Sequence, residues 1–569
     1  MKNQTKRQQL DYIQKQLELD RTSFLSHWQE LADYVAPRRE RINITDTNRG
    51  DKRNQNIIDS TATIAMRTLR SGMMSGVTSP ARPWFRVSMA DPEVSELGNV
   101  KRWLDTVGNR MSTYFLRSNL YNVLPIIYGD MGLFGTGCMY IEEDFEGGAF
   151  KFQPYQIGSY SVAQNSDLKV DTFFRTFKMT SRQMIQKFGL KNPNKPKDID
   201  WSVFSAQIKD DYDNNKLETQ YDICHMIRPN PDYKPGSVNP KFKKYSSDYY
   251  EQGTGQWTSQ QVDRFLRESG YDYFPILTPR WEINGEDVYG TSCPGMEALG
   301  DVKQLQVGEK RSLQAVDKMV NPPLIAPTSM RNAKVSLTPG DITYNDSRDG
   351  DRGFKTVYDI QFRIMELEQK QAQVRSRIQR TFFEDLFLML ASSDRRQITA
   401  REIDERHEEK LLALGPVLEQ LNQDLLDPLI DICFEIMNKQ GLFPPPPQEI
   451  AGSEMKIEYI SIMAQAQKMI GLSSIDRFSG FVSQAAQFDP TVLDKVNSDE
   501  LIDSYADLTS VPSKIVRTDD EVAGIRSNRQ QQQQQMQQAE LGKTQAETAA
   551  KLSQAKTSDD SILSQLIGG

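Results

Sequence analysis

The chain is predicted to be an α+β protein, mainly helical, and three observations carry that prediction. Both flanks are dominated by apolar residues at spacings of three, four and seven, the period of an α-helix with one buried face. The middle, from about 134 to 289, instead alternates apolar and polar residues with the period of a strand. The longest helical pattern, 399–437, holds Ile403, Leu411, Leu414, Leu418, Leu421, Leu425, Ile432 and Ile436 on one side. At 1.5 Å per residue it would reach about 58 Å, beyond the width of a small domain. Pro416 and Pro428 each remove a helical hydrogen bond, so this rod is expected to bend.

The elements follow in order. Residues 6–35 form a first helix with Leu10, Ile13, Leu17, Phe24, Trp28, Leu31 and Val35 recurring, ended by Pro37. A second helix is expected from about 54 to 76, where Gly72 and Gly76 would permit close helix packing, and a third over about 100–116. Strands are expected at 138–144, 150–155, 170–178 and 219–227, with a turn at Asn165-Ser166-Asp167 and a short helix after Thr180-Ser181. A further amphipathic helix spans about 293–319 and is broken by NPPLIAP (321–327). A β-like stretch follows to Tyr344, then a polar turn at 345–353 and a long helix from about 358 to 390. The short loop SSDRRQ (392–397) separates that helix from the rod. GLFPPPPQE (441–449) is a stiff extended break, and a helical region of moderate hydropathy covers about 457–504. From about 516 the sequence is polar, with six consecutive glutamines at 530–535. Alone it would be disordered, or helical only by pairing with its own copies.

Composition excludes several classes of function. Charged residues are 26% and hydrophobic residues 38% of 569, an ordinary folded composition, with room for three or four units. A formal net charge of −8 argues against tight duplex binding through phosphate neutralisation, though not against a surface past which DNA slides. Cys138, Cys224, Cys293 and Cys433 make no CxxC pair, so neither a disulfide framework nor a zinc site is expected. No signal peptide or run of about eighteen apolar residues is visible, which predicts a soluble protein made in the cytoplasm.

No catalytic constellation is found, and no cofactor or metal is expected. His27, His225 and His407 fall in different elements. Cys224 adjoins His225, but neighbours on a strand face opposite sides and cannot chelate one ion. GKT (542–544) has Gln537 where a phosphate loop needs its leading glycine, and no strand precedes it. GLFGTG (132–137) lacks GxGxxG spacing and reads as a tight turn. The run Glu142-Glu143-Asp144 reads as a solvated strand end.

Several segments together resemble a known family, the head-to-tail connector or portal proteins of short-tailed, podovirus-type bacteriophages. They are GMMSGVTSPARPWF (72–85), YGDMGLFGTGCMYIEED (128–144), FPILTPRWEINGEDVYG (274–290), DKMVNPPLIAP (317–327) and HEEKLLALGPVLEQLNQDLLDPLI (407–430). The blocks are long and spread from about residue 10 to 440. The resemblance implies a portal-type subunit that assembles into a closed ring, typically a dodecamer, with an axial channel through which viral DNA is packaged and later ejected. On this sequence it implies a wing (1–292), stem helices (293–319 and 357–390) enclosing a clip (320–356), a channel loop (391–398), a bridging helix (399–440), a crown (441–525) and a glutamine-rich tail or barrel (526–569).

The resemblance places Ser393, Asp394, Arg395, Arg396 and Gln397 in the channel loop as candidate DNA contacts. An equal alternative is that the two arginines bridge to acids of a neighbouring subunit. Pro322, Pro323, Pro327, Arg331 and Lys334 fall in the clip, the docking surface for the packaging motor and the tail. The implied partners are further copies of the chain, double-stranded DNA passing without sequence specificity, the terminase large subunit, tail adaptors, and the major capsid and scaffolding proteins. No membrane and no enzymatic activity are implied, and the location is the virion. The alternative is a capsid-internal scaffold or core protein without a conduit role.

Overall fold

The computed structural model describes residues 5–39, 55–91, 94, 97–144, 148–190, 198–252, 264–325, 331, 355–356, 363–392, 414–450, 455–460, 475, 477–508, 517 and 519–558. The chain is α+β and mainly helical, as predicted. It divides into two compact units. One comprises Met1–Phe85, Gly108–Pro444 and Ser461–Ala466; the other comprises Arg86–Val107, Pro445–Ile460 and Gln467–Gly569.

The first unit is built on helix α1 (Lys6–Val35), at the predicted bounds. Thr5 caps it: its side chain accepts from the Gln8 amide while Gln8 returns a bond to the Thr5 amide, satisfying two otherwise orphaned donors. Leu10 and Leu17 are buried against Phe174, Cys224, Met226 and Tyr250. Those four lie on one face of a five-stranded antiparallel meander: β4 (Tyr160–Gln164), β5 (Val170–Thr180), β6 (Gln220–Pro229), β7 (Tyr245–Glu251) and β8 (Arg267–Tyr271). The Lys6 ammonium bonds Asp248 at 2.8 Å and Glu268 at 2.9 Å, tying the helix start to β7 and β8. On the opposite face Ile223 and Tyr249 pack with Met184, Ile185, Phe204 and Ile208 from short helices after β5. The first of these, Ser181–Met184, is capped by Thr180, as its sequence predicts. A smaller sheet orders β3 (Phe150–Pro154), β2 (Met139–Glu143) and β9 (Ile276–Leu277).

Three elements differ from expectation. Helix α2 runs Thr61–Val77 and starts seven residues late. The amides of Ile58 and Asp59 are recruited by the Gln306 side-chain oxygen at 2.7 and 2.8 Å, which holds the preceding segment out of the helix. After α3 (Gly98–Arg117) comes an unpredicted helix, α4 (Leu120–Phe134), buried along most of its length and with Pro125 tolerated in its first turns. An element that is apolar all round has no periodic face to read. GLFGTG therefore begins as helix, and only from Gly135 is it the expected turn. Gly135 has φ +81°, and a side chain there would strike the Gly290 carbonyl.

Third, the helix expected at 358–390 is two: α8 (Ile364–Thr381) and α9 (Glu384–Ser392). Phe383, with φ +55°, turns the chain between them beside the buried Phe382. Residues 357–362 lie outside the described residues. The helix predicted at 293–319 is present as α7 (Pro294–Val320).

Asp130 on α4 is buried and paired with Arg39 at 2.9 Å. Burial pushes its carboxyl up from the ordinary 3.8 to about 6, against the opposing pull of Arg39 and Arg70. The fold thus favours the protonated form. Its contribution to stability is full below the unfolded pKa and declines as pH rises through about 6. Denaturation of Asp130→Asn and the parent from pH 4 to 7 should therefore show the variant gaining relative stability with rising pH. A constant difference would refute this.

The second unit pairs β1 (Phe85–Met89) with β12 (Met455–Tyr459). The expected helical region from 457 therefore opens as a strand; helix is present at 477–488 and Ser498–Leu508. The polar end forms one long helix, Asp519–Ser558, whose Arg526 donates two hydrogen bonds to the Asp499 carboxylate, at 2.6 and 2.7 Å.

Candidate functional site

Helices α7 and α8 lie antiparallel, and their side-chain ladder fixes the register. Arg377 pairs with Asp301 at 2.7 Å, Arg375 with Glu309, and Gln371 donates to Ser312 at 3.0 Å, so rising numbers on one helix meet falling numbers on the other. Arg375 also reaches Asp59 at 2.8 Å, while Gln306 Nε2 donates to the Asp59 carbonyl at 2.8 Å. These bonds anchor the half of the pair containing Gln306 and Arg375 to the segment before α2. The far half is different. Leu313, Val316, Met319 and Val320 on α7 and Met365 on α8 are exposed, Val320 at 80% and Met365 at 84%. An apolar stripe that large needs a partner surface in a stable soluble assembly.

At the far end the chain leaves α7 through Asn321 and forms a short antiparallel pairing, β10 (Leu324–Ile325) with β11 (Lys355–Thr356). Of the clip candidates, Pro322 is half-buried, Pro323 is exposed, and Arg331 is exposed in a turn. Pro327 and Lys334 lie outside the described residues. So do Ser393, Asp394, Arg395, Arg396 and Gln397 of the channel loop; the described chain ends at Ser392, the last residue of α9.

The rod is described from 414 to 439 and is helical throughout. Its predicted apolar positions Leu414, Leu418, Leu421, Leu425, Ile432 and Ile436 are all buried; Ile403 and Leu411 lie outside the described residues. The expected disturbance at Pro428 takes a specific form. Asn422–Leu426 is a π-helical turn, closed by the Asp427 amide donating to the Asn422 carbonyl, and α10 (Asp427–Lys439) resumes after it. Pro428 cannot donate to the Asp424 carbonyl four residues back, so the wider turn forms where the α-helical ladder is already broken.

That turn carries Asp424, which meets Arg280 in a forked pair: Nε to Oδ2 at 3.0 Å and Nη2 to Oδ1 at 3.2 Å. Arg280 is buried and its remaining donors reach Gln164 Oε1 at 3.0 Å and the Leu168 carbonyl at 2.9 Å. The rod is thus clamped to the β4–β5 turn by one guanidinium. Sequence reading missed Gln306, Arg375, Arg280 and Asp424. Arg280 and Asp424 are 144 positions apart, and no local spacing could signal their pairing.

Cys224 faces α1, whereas His225 stacks on Tyr249 on the other face at 3.8 Å, as strand geometry demands. All four cysteines are buried and unbridged. GKT lies inside the Asp519–Ser558 helix. His407 lies outside the described residues. Among the described residues no group of His, Cys, Asp or Glu could hold a metal ion, and no helix is long and apolar enough to cross a membrane.

Against known proteins, residues 7–516 match the family described as bacteriophage head to tail connecting protein. The portal protein of Salmonella phage epsilon15 is 45% identical over 551 residues, covering 97% of this chain and 96% of that protein. A probable portal protein of Bordetella phage BPP-1 is 40% identical over 566 residues, covering 100% of this chain and 99% of that one.

Proposed function

The chain belongs to the bacteriophage head-to-tail connecting protein family, and from that premise we propose that it is a portal protein. Copies of it form a closed ring, a dodecamer, at one capsid vertex of the virion, and duplex DNA is packaged and ejected through the axial channel. The observation that carries this reading is the end-to-end similarity to two portal proteins, at 40–45% identity over nearly their whole lengths. The exposed apolar stripe on α7 and α8 supports it, because a ring supplies each subunit with a neighbour to cover that stripe.

In this proposal the paired helices α7 and α8 are the stem, and 320–356 is the clip that docks the terminase large subunit and then the tail adaptors. The wing (1–292) meets the major capsid and scaffolding proteins, 441–525 forms the crown, and the Gln-rich helix extends beyond it. The protein is made in the host cytoplasm and has a structural role, not an enzymatic one. Electron microscopy of the purified chain is the direct test. Closed rings with a hole wide enough for duplex DNA are expected, and filaments or monomers would overturn the reading in favour of an internal scaffold.

The loop after Ser392 then lies at the channel wall, with Arg395 and Arg396 making transient phosphate contacts, weak enough to release as DNA advances. Replacing both by alanine should leave ring assembly intact while lowering the DNA packaged or retained per particle. Normal packaging and retention in intact rings would remove the DNA-contact role.

A further inference from the structure

The five-stranded sheet carries a row of residues in which two buried nitrogens, Arg175 Nε and His225 Nδ1, have no hydrogen-bond partner. In register, Arg175 on β5 stands opposite His225 on β6, which stands opposite Tyr249 on β7, which stands opposite Arg267 on β8. Directly paired residues of neighbouring antiparallel strands share a face, so all four project to one side. The Arg175 guanidinium is sandwiched between the rings of Tyr155 at 4.1 Å and Phe177 at 4.0 Å. The Lys187 ammonium lies 5.4 Å over Tyr249. Arg267 and Lys187 are exposed, while His225 and Tyr249 form a buried floor.

Three fixed cations gathered on an aromatic floor in an acidic chain call for counter-charge. Among the described residues no carboxylate forms an ion pair with Arg175, Lys187 or Arg267. Arg175 Nε and His225 Nδ1 are both enclosed without a hydrogen-bond partner. Glu142 is the acid that stands near the row, and because it also faces Lys151 in register it offsets at most one of the three charges. Burial first, then Arg175, Lys187 and Arg267, hold the His225 imidazole well below its usual range, so the histidine adds no charge but feels all three cations.

We propose that this face is an oxyanion site for a phosphate group. Stacking occupies the faces of the Arg175 guanidinium and leaves its edge to donate, the geometry that grips a phosphate bidentately. Lys187 and Arg267 close on the anion from the rim. A phosphate dianion matches the residual charge of about two that remains after Glu142. A single carboxylate does not. The phosphate could be free or on a mononucleotide, or belong to a nucleic-acid backbone.

The test uses the full-length assembled protein in chloride buffer at constant ionic strength. Calorimetric titration with inorganic phosphate should give saturable binding. In Lys187→Gln/Arg267→Gln, whose changes are confined to exposed side chains, the Kd should rise about tenfold or more, with an unchanged melting curve in chloride. A short duplex oligonucleotide that displaces phosphate would assign the site to nucleic acid; failure to displace it would assign free phosphate or a mononucleotide. Absence of phosphate binding, or binding indifferent to the double substitution, would overturn the proposal.

Discussion

Arg280→Ala is expected to destabilise the protein by about 3–5 kcal/mol, the cost of stripping one partner from a buried ion pair. Arg280 is 1% exposed and its guanidinium donates to Asp424, Gln164 and the Leu168 carbonyl at once. Its loss leaves the Asp424 carboxylate facing a cavity and frees the rod from the β4–β5 turn. Asp424→Ala should cost a similar amount, since it strands a buried cation. Arg280→Met/Asp424→Leu removes both charges and fills the space, and should recover most of the loss. Thermal or denaturant unfolding of the three variants measures this. A single-variant cost below about 1 kcal/mol, or a double variant as unstable as either single, would show that the clamp contributes little.

The rod shows what sequence can carry and where it stops. Its apolar period put Leu414, Leu418, Leu421, Leu425, Ile432 and Ile436 on the buried side, and all six are buried. Pro428 signalled a local disturbance. It did not signal that the turn would carry Asp424 to an arginine 144 positions away, because nothing local in the sequence encodes that pairing. The same division recurs elsewhere. Amphipathic α1 and α7 were legible to within a residue or two, whereas α4, apolar all round, had no periodicity to detect. The late start of α2 is set by Gln306, and the α8–α9 break by a left-handed Phe383; both are tertiary decisions. Of the candidate site, Pro322 and Pro323 lie just past the end of α7, whereas Ser393 to Gln397 lie outside the described residues.

Gly72→Ala is expected to cost about 3 kcal/mol, the upper end for an overpacked core. A methyl group on Gly72 of α2 would fall within the ring of Phe387, which is 3% exposed on α9. Neither helix can yield alone. Met73 and Leu69 are buried on the same stretch of α2, and Leu386 is buried beside Phe387. The added carbon must therefore push α9 away as a unit. Combining it with Phe387→Ala removes the two nearest colliding atoms, Cγ and Cδ1, but loses ring burial, so the double variant should be less destabilised than the sum of the two single changes by about 1 kcal/mol or more. Strict additivity in unfolding measurements would mean that the glycine tolerates a side chain after all. The position of α9 matters beyond stability because Ser392, its last residue, lies three positions before Arg395 in the chain. In the proposed ring a shift of that helix moves every copy of the channel loop together. Gly72→Ala rings that still assemble should therefore lose packaged DNA in the same direction as the double-arginine variant, although Gly72 itself packs against a side chain and touches no DNA.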